Sequence, residues 1–448
     1  MNFAKITIKW PKRWKYPLCI PSLQQHVTMI LYRLFLLFYP ILAKLISPFN
    51  EKAKYWVEGQ QKVWEEISRL CRQIKGPIIW VHCASYGEFE QGLPIISALK
   101  KSYPTHQIWV TFFSPSGYLH HKHHPDVDFV SYLPLDGPSS ANRWMQMVQP
   151  KCILFVKYEF WYYFLKQAAV QKIPTFLVSA IFRPDQIFFK FYGGFYRSIL
   201  PLFTGILVQD FTSKKLVSPL VKHTHLAISG DTRFDRVLDI VAGKETIEWV
   251  SRLAKVKTIV AGSTWEQDHV MIGSIISDWD QCNWIIVPHH VDAAAIKTCQ
   301  SHFHNSICLS EWLTQSNTME KPMVLIVDQI GLLSHLYQYA SISYIGGGFT
   351  KDGIHNVLEA AVFGTPVIWG PNDSKYQEAI GLRNAFGGIK IKNAKGLNEI
   401  LEKLFKETDF SRATGDAALK FVQENAGATQ KTIETFKQIY VSPTNQKL

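Results

Sequence analysis

The chain has 448 residues, 47% hydrophobic and 19% charged, with a formal net charge of +12. This length exceeds a single ordinary core and predicts two domains, while the composition excludes a disordered chain. The charge calls for an anionic partner, whether nucleic acid, phospholipid or a phosphorylated sugar. Seven cysteines without a Cys-x-x-Cys pair exclude a disulfide framework and fit a reducing cytoplasm. Residues 1–50 carry Lys5, Lys9, Lys12, Arg13, Lys15, Arg33 and Lys44 and no Asp or Glu. Their apolar run Leu34–Ala43 is interrupted by Pro40 and is about half of the roughly 20 residues that span a bilayer. With basic flanks it reads as a helix on an anionic cytoplasmic leaflet; a buried helix of the first domain is the alternative.

From Gly76 onward short apolar runs alternate with amphipathic stretches. Strands are expected at Ile78–His82, Gln107–Phe112, Cys152–Val156, Pro174–Ser179, Gly205–Val208 and Leu226–Ser229, with a helix at Phe89–Ser102 after the first. A second series follows at Lys257–Gly262, Trp284–Pro288, Met323–Val327, Ile342–Gly346 and Pro366–Trp369, joined to the first by a helical stretch near Arg236–Lys255. Strands spaced by helices mean parallel sheets, so the chain predicts an α/β protein of two Rossmann-like halves facing a cleft. Ligands in such sheets sit at the carboxyl ends of the strands. The cluster from His120 to His124 reads as a solvated loop, because Lys122 would repel a metal cation. The aromatic stretch Phe188–Arg197 is either a lipid-facing rim or a packed helix.

The loops after these strands carry the chemistry. Glu88, in Ser85-Tyr86-Gly87-Glu88, opens a helix, where a carboxylate is a favoured N-terminal acid or a general base. Further loops are Lys157-Tyr158-Glu159-Phe160-Trp161, Gly230-Asp231-Thr232-Arg233-Phe234-Asp235, Gly262-Ser263-Thr264, Pro288-His289-His290 and Asp328-Gln329-Ile330-Gly331-Leu332. Arg233 is a cation able to offset charge on a leaving phosphate. Ser263 and Thr264 are hydroxyl donors to an anion or helix caps. In Gly346-Gly347-Gly348 and the segment after it, a helix beginning near His355–Asn356 offers N–H groups to an anion, with Glu359 in reach of sugar hydroxyls; an ordinary strand–turn–helix connection is the other reading. A P-loop is excluded because Gly353 is followed by Ile354 and His355. A dinucleotide fingerprint is excluded because Lys351 stands where its last glycine belongs.

From about Met29 to Lys392 these motifs, in this order, resemble the Kdo transferase family, which adds 3-deoxy-D-manno-oct-2-ulosonic acid (Kdo) to the lipid A precursor. The motifs that match are Ser85–Glu88, Glu159–Trp161, Gly230–Asp235, Ala261–Thr264 and the glycine segment with His355–Glu359. The resemblance implies a GT-B glycosyltransferase. Residues 1–50 would be a membrane-associated segment, 51–235 the acceptor domain, and 236–448 the donor domain with terminal helices. It implies inverting, metal-independent transfer from CMP-Kdo to lipid IVA on the cytoplasmic face of the inner membrane. The expected partners are CMP-Kdo, the lipid A precursor and anionic lipid, with no nucleic acid and no cofactor.

By the same resemblance Glu88 is the general base, and Glu159 and Arg233 stabilise the transition state. For Glu159 the residues themselves give no independent reason, and a structural role is equally open. Donor-binding positions fall on Pro288, His289, Ile330, Gly331, Leu332, Asn356, Val357, Leu358 and Glu359, beside Ser263 and Thr264. The chain departs from the family in having His289 where Arg is usual, Arg233 for Lys, and Ile330-Gly331-Leu332 for Met-Gly-Glu. His289 thereby loses a fixed charge, and His290 is the neighbouring substitute. A UDP-sugar transferase or epimerase of the same fold, and a non-catalytic membrane-surface protein, are the competing readings.

Overall fold

The computed structural model describes residues 22–121, 124–243, 246–253, 255–315 and 324–440. The basic residues before Ser22, and Lys122 and His123 of the histidine cluster, lie outside these. Two compact units divide the chain. The first takes in the described residues up to Tyr86 together with Thr105–Ile228; the second is Gly87–Pro104 with Ser229 onward. The expected boundary after Asp235 therefore moves to Ser229, and the helix after the first strand groups with the second unit. The reason is bonding: that helix is tied to residues 232 and 236, as described below.

The first unit opens with α1 (Ser22–Ile46) and α2 (Glu51–Cys71). Asn50 caps α2, accepting from the Ala53 N–H at 3.0 Å, the usual way to satisfy a free amide at a helix start. Pro40 was expected to interrupt the apolar run, yet it sits inside α1. Packing of the turns just before it holds the helix in place. Tyr32 and Leu36 before it are buried in the core of the first unit, and the Tyr39 ring meets Trp56 of α2 edge-on at 4.9 Å. Residues Val27–Ile46 are long and apolar enough, by length and composition, to cross a membrane, a longer stretch than the sequence pattern suggested.

The sheet of this unit is parallel throughout, in the order β3-β2-β1-β4-β5-β6-β7. Its strands are β1 (Ile78–Cys83), β2 (Gln107–Phe112), β3 (Phe129–Tyr132), β4 (Cys152–Val156), β5 (Thr175–Ala180), β6 (Gly205–Val208) and β7 (His225–Ile228). Every residue of β1 and β4 is buried, which is why both read as unbroken apolar runs. Phe188 and Phe195 are buried in the same core, and Arg197 donates to the Phe188 and Lys190 carbonyls. The aromatic stretch is thus mainly a packed element, with Phe191 and Tyr192 exposed at its tip.

The second unit carries α3 (Tyr86–Ser102) and another parallel sheet, ordered β10-β11-β9-β8-β12-β13-β14. The strands are β8 (Thr258–Thr264), β9 (Asn283–Pro288), β10 (Ser306–Cys308), β11 (Val324–Ile326), β12 (Ile342–Ile345), β13 (Val367–Trp369) and β14 (Gly388–Lys390). The expected helical link is a helix at Thr232–Ala242 followed by a 3-10 turn at Glu248–Arg252. Three helices, Ala394–Lys406, Thr408–Asn425 and Ala428–Tyr440, complete this unit. The strand order reverses between β1 and β4 in the first sheet and between β8 and β12 in the second. A crevice opens at such a switch point, beyond the carboxyl ends of the strands.

Candidate active site

At the first switch point His82 is the penultimate residue of β1 and β4 leads to Glu159. The Trp161 indole donates to Glu159 Oε2 at 2.6 Å, and His82 Nε2 lies 3.1 Å from the same oxygen. The other ring nitrogen of His82 is 2.9 Å from the Thr111 hydroxyl, which also accepts from the Trp80 indole at 2.8 Å. His82 is fully buried and Glu159 nearly so. This is a carboxylate held in one orientation by a buried network. It gives Glu159 the local reason that its sequence position lacked. The sequence marks His82 only as a polar residue closing an expected apolar strand. Lys157, between β4 and Glu159, has φ 71°, a left-handed conformation uncommon for a residue with a side chain.

In the second unit the motif 230–235 accounts for itself residue by residue. Gly230 has φ +103°, the region where glycine is favoured. Asp231 caps the helix through the Arg233 N–H at 3.0 Å and also grips the Arg233 guanidinium, with Nη2 to Oδ2 at 2.7 Å. The opposite edge of that guanidinium reaches Glu378 at 2.6 Å. Burial alone would lower the Arg233 pKa; the Asp231 and Glu378 carboxylates outweigh it and hold the side chain charged. Thr232, wholly buried, donates to the Gln91 carbonyl of α3 at 2.6 Å, and Arg236 pairs with Glu90 at 2.7 Å. Phe234 packs in the core against Phe421. Asp235 accepts from the Gly427 and Thr429 amides, both at 2.6 Å, and so receives the start of the last helix. Glu88 lies on the first turn of α3, so the elements bearing Glu88 and Arg233 are bolted to each other. Glu378 is a partner that the sequence reading did not single out.

The second switch point brings together β8, β9, β12 and the loops after them. Ser263 has φ 52° and sits at a register break between β8 and β9. Thr264 is buried and its hydroxyl lies 2.8 Å from His269 Nε2, so that group is engaged within the fold. Gly346 and Gly348 are required by backbone contact: a Cβ on Gly346 would lie 2.3 Å from the Ser263 carbonyl, and one on Gly348 2.5 Å from Gly370. Close approach of chain to chain therefore explains two of the three glycines that the sequence suggested were shaped for a ligand. Asp268 secures the loop, accepting from the Gly347 amide at 2.8 Å and the Tyr344 hydroxyl at 2.6 Å. Its burial raises its pKa, against the pull of these bonds.

The expected helix from His355 is a single turn, Leu358–Ala361, too short to act as an anion-binding helix end. Asn356 spans its start, taking the Leu358 N–H and donating to Glu359 at 2.9 Å. Burial raises the Glu359 pKa. Val357 and Leu358 are core residues, so only their backbone can face a ligand. Pro288 is buried at the end of β9 and His289 is exposed. The His289 ring stacks on Trp265 at 4.7 Å and on His355 at 4.5 Å, with His290 edge-on to both Trp265 and His289. The Trp265 indole donates to His355 Nε2 at 2.9 Å. Trp265 and His355 thus join His289 and His290 in one aromatic group that the sequence reading saw only in part. Ile330 is 77% exposed and Gly331 has φ +91°, an uncovered loop after β11. Among the described residues, no group of three or more His, Cys, Asp or Glu side chains is placed to hold a metal ion.

Two parallel Rossmann-like sheets, each with its polar residues gathered beyond the strand ends at a switch point, define a GT-B-type glycosyltransferase fold. A crystal structure of a UDP-N-acetylglucosamine 2-epimerase shares it, with TM-score 0.57 and 14% identity over 83% of this chain and 98% of that one. Residues 59–236 match the family described as 3-deoxy-D-manno-octulosonic-acid transferase (kdotransferase). Over a longer stretch the chain is similar to proteins of the same description. It is 29% identical over 380 residues to the 3-deoxy-D-manno-octulosonic acid transferase of Rickettsia felis, covering 81% of this chain and 78% of the relative. The enzyme of the same name from Haemophilus influenzae is 26% identical over 376 residues, 80% of this chain and 86% of the relative.

Proposed function

We propose that this chain transfers Kdo from CMP-Kdo to the lipid A precursor lipid IVA, in lipopolysaccharide biosynthesis at the cytoplasmic face of the inner membrane. The observation that carries the reading is the pairing of α3, which bears Glu88, with the helix bearing Arg233 through Thr232 and Gln91. A base and a cation on fastened elements form a unit suited to displacement at an anomeric carbon.

In this reading Glu88 takes the proton of an acceptor sugar hydroxyl as its oxygen attacks the Kdo anomeric carbon. The bond from that carbon to the CMP phosphate breaks, its electron pair leaves on the phosphate oxygen, and the configuration inverts. Arg233 offsets the charge on the phosphate or on the Kdo carboxylate. Asp231 and Glu378 keep its guanidinium in place, so it meets the charge without reorganising. Glu159, held by His82 and Trp161, stabilises the transition state in this reading. Ser263, Pro288, His289, Ile330–Leu332 and the Asn356–Glu359 turn make the donor site, with Thr264 supporting it from inside. We place no metal or other cofactor in the step, since the cationic side chain supplies the charge, and excess chelator should leave the rate unchanged. The exposed apolar side of α1 would lie in the anionic leaflet, consistent with the packing of Tyr32 and Leu36 on its other side.

Incubating the chain with CMP-Kdo and tetraacylated lipid A precursor, then weighing the product by mass spectrometry, tests this directly. The expected product gains one or more Kdo units. Turnover of a UDP-sugar with no mass gain from CMP-Kdo would overturn it.

A further inference from the structure

Between α1, α2 and the loop after β2 lies a cavity of about 280 Å³. Its walls are mostly apolar, including Tyr39, Leu42 and Ile46 of α1, Ala53 and Trp56 of α2, and Phe113. The three aromatic rings form one cluster, with Tyr39 to Phe113 at 5.6 Å and Trp56 to Phe113 at 5.7 Å. We propose that this cavity receives one fatty acyl chain of the lipid acceptor and sets the distance between that lipid's sugar and the residues at the end of β4.

Three observations choose this occupant. The cavity opens on the apolar side of α1: Leu42 lines it and is still 55% exposed, in line with exposed Phe38, Ile41 and Leu45. A chain can pass from a bilayer touching that side into the cavity without crossing polar surface, and burying its methylenes is favourable. Lys52 stands in the wall, a cation for the phosphate that an anionic glycolipid carries. The third observation separates an acceptor from bulk phospholipid. The Phe113 ring lies 4.9 Å from the Trp161 ring, and Trp161 donates to Glu159 at 2.6 Å. Two aromatic rings in contact, Phe113 and Trp161, therefore link the apolar cavity to the carboxylate held at the strand end. A molecule that profits from both must join an acyl chain to a polar sugar.

This inference rests on the transferase reading, and its test keeps the two apart. In the full chain, Ala53→Phe places a ring in the cavity while leaving Glu88, Glu159 and Arg233 untouched. The expected result is a KM for tetraacylated acceptor raised by about tenfold or more, the scale of discrimination by a few methylenes in an apolar pocket. kcat and the KM for an acceptor with shortened chains should stay near the parent's. Equal kinetics on both acceptors, with an unchanged thermal transition, would overturn the assignment.

Photolabelling of the parent chain needs no variant to fold. An acceptor analogue with a diazirine on its acyl chain should label the peptides holding Trp56 and Phe113, and unlabelled acceptor should compete. Phosphatidylglycerol carrying the same diazirine and labelling those peptides equally well would mean a general lipid cavity and sink the proposal. Should the parent give no Kdo transfer while the acceptor analogue still labels the cavity, the reaction assignment fails and the acyl site stands.

Discussion

The Thr232 hydroxyl, buried at the start of the helix Thr232–Ala242, donates to the Gln91 carbonyl of α3 at 2.6 Å. Residues 141 positions apart thereby hold Glu88 and Arg233 on joined elements. Thr232→Val keeps the shape and removes this bond. Stability should fall by about 1 kcal/mol, the usual net worth of an internal hydrogen bond, read from the denaturant midpoint. If the bond aligns the reaction, kcat should fall further than stability alone explains, up to about 10²-fold, as misplacement of reacting groups does. A lower midpoint with unchanged kcat would reduce the bond to a structural one.

Glu88→Gln should preserve the thermal transition and CMP binding while transfer falls by roughly 10²–10⁴-fold, the contribution of a general acid or base. Single-turnover kinetics on the lipid acceptor provide the measurement. A rate within tenfold of the parent assigns the proton to another group.

Arg233→Ala tests a different part of the step. The substitution leaves Asp231 and Glu378 facing each other unpaired, so two effects should appear: a loss of stability, and a drop in kcat of about 10²–10³, typical for removing one preorganised charge-stabilising group. Arg233→Lys separates them. It keeps the charge and cannot grip both carboxylates in the planar, forked manner of a guanidinium. It should retain most of kcat while lowering the melting temperature. If Lys is as inactive as Ala, the geometry of Arg233 matters more than its charge.

Much of this architecture is legible in the sequence. The long buried strands β1, β2, β4, β8 and β9 appear as apolar runs, and the loops that follow them carry the motifs. The strands that escape are β3, β10 and β14, of which the last two are only Ser306–Cys308 and Gly388–Lys390. Three or four residues are too few for a period to declare itself. The glycines at 346–348 were visible, but their cause was not, because the Ser263 carbonyl and Gly370 that exclude a Cβ come from distant parts of the chain. The same is true of His82, whose carboxylate partner lies 77 residues away. The one-turn helix at Leu358 looked longer from sequence because its apolar residues continue in a helix-like spacing; it starts only after Asn356, whose side chain accepts from the Leu358 N–H.

The aromatic group at the second switch point predicts a dependence on acidity. Burial, and then His289 and His290, lower the His355 pKa from 6.5 to about 4. Between those values the unfolded chain binds a proton that the folded chain refuses, so stability rises with pH across the window and is lost as pH falls from about 6.5 to 4. Protonation would also remove the acceptor that Trp265 uses. His355→Gln keeps an acceptor and does not titrate. Its melting temperature should decline less steeply over that range than the parent's. Some slope should remain, because burial and His302 also lower His269 to about 4. Identical slopes in parent and variant would show that His355 is not the titrating group.

Membrane attachment can be tested without dismantling the first unit. Removing residues 1–48 would also strip Tyr32 and Leu36 from the core and leave Asp136 without the Tyr32 hydroxyl that donates to it at 2.5 Å. The opposite side of α1 is dispensable to packing: Leu37 is 60% exposed and Ile41 51%. Leu37→Glu with Ile41→Glu should therefore keep the thermal transition and weaken binding to anionic vesicles. Each large aliphatic side chain contributes about 1.5 kcal/mol or more when buried, so losing even one is roughly tenfold in partition. Tyr32→Phe serves as the opposite control, lowering stability through Asp136 while vesicle binding persists. Sedimentation with phosphatidylglycerol vesicles reads both. Undiminished sedimentation of the double variant would move the attachment away from α1, and the exposed pair Phe191 and Tyr192 would be the next surface to alter.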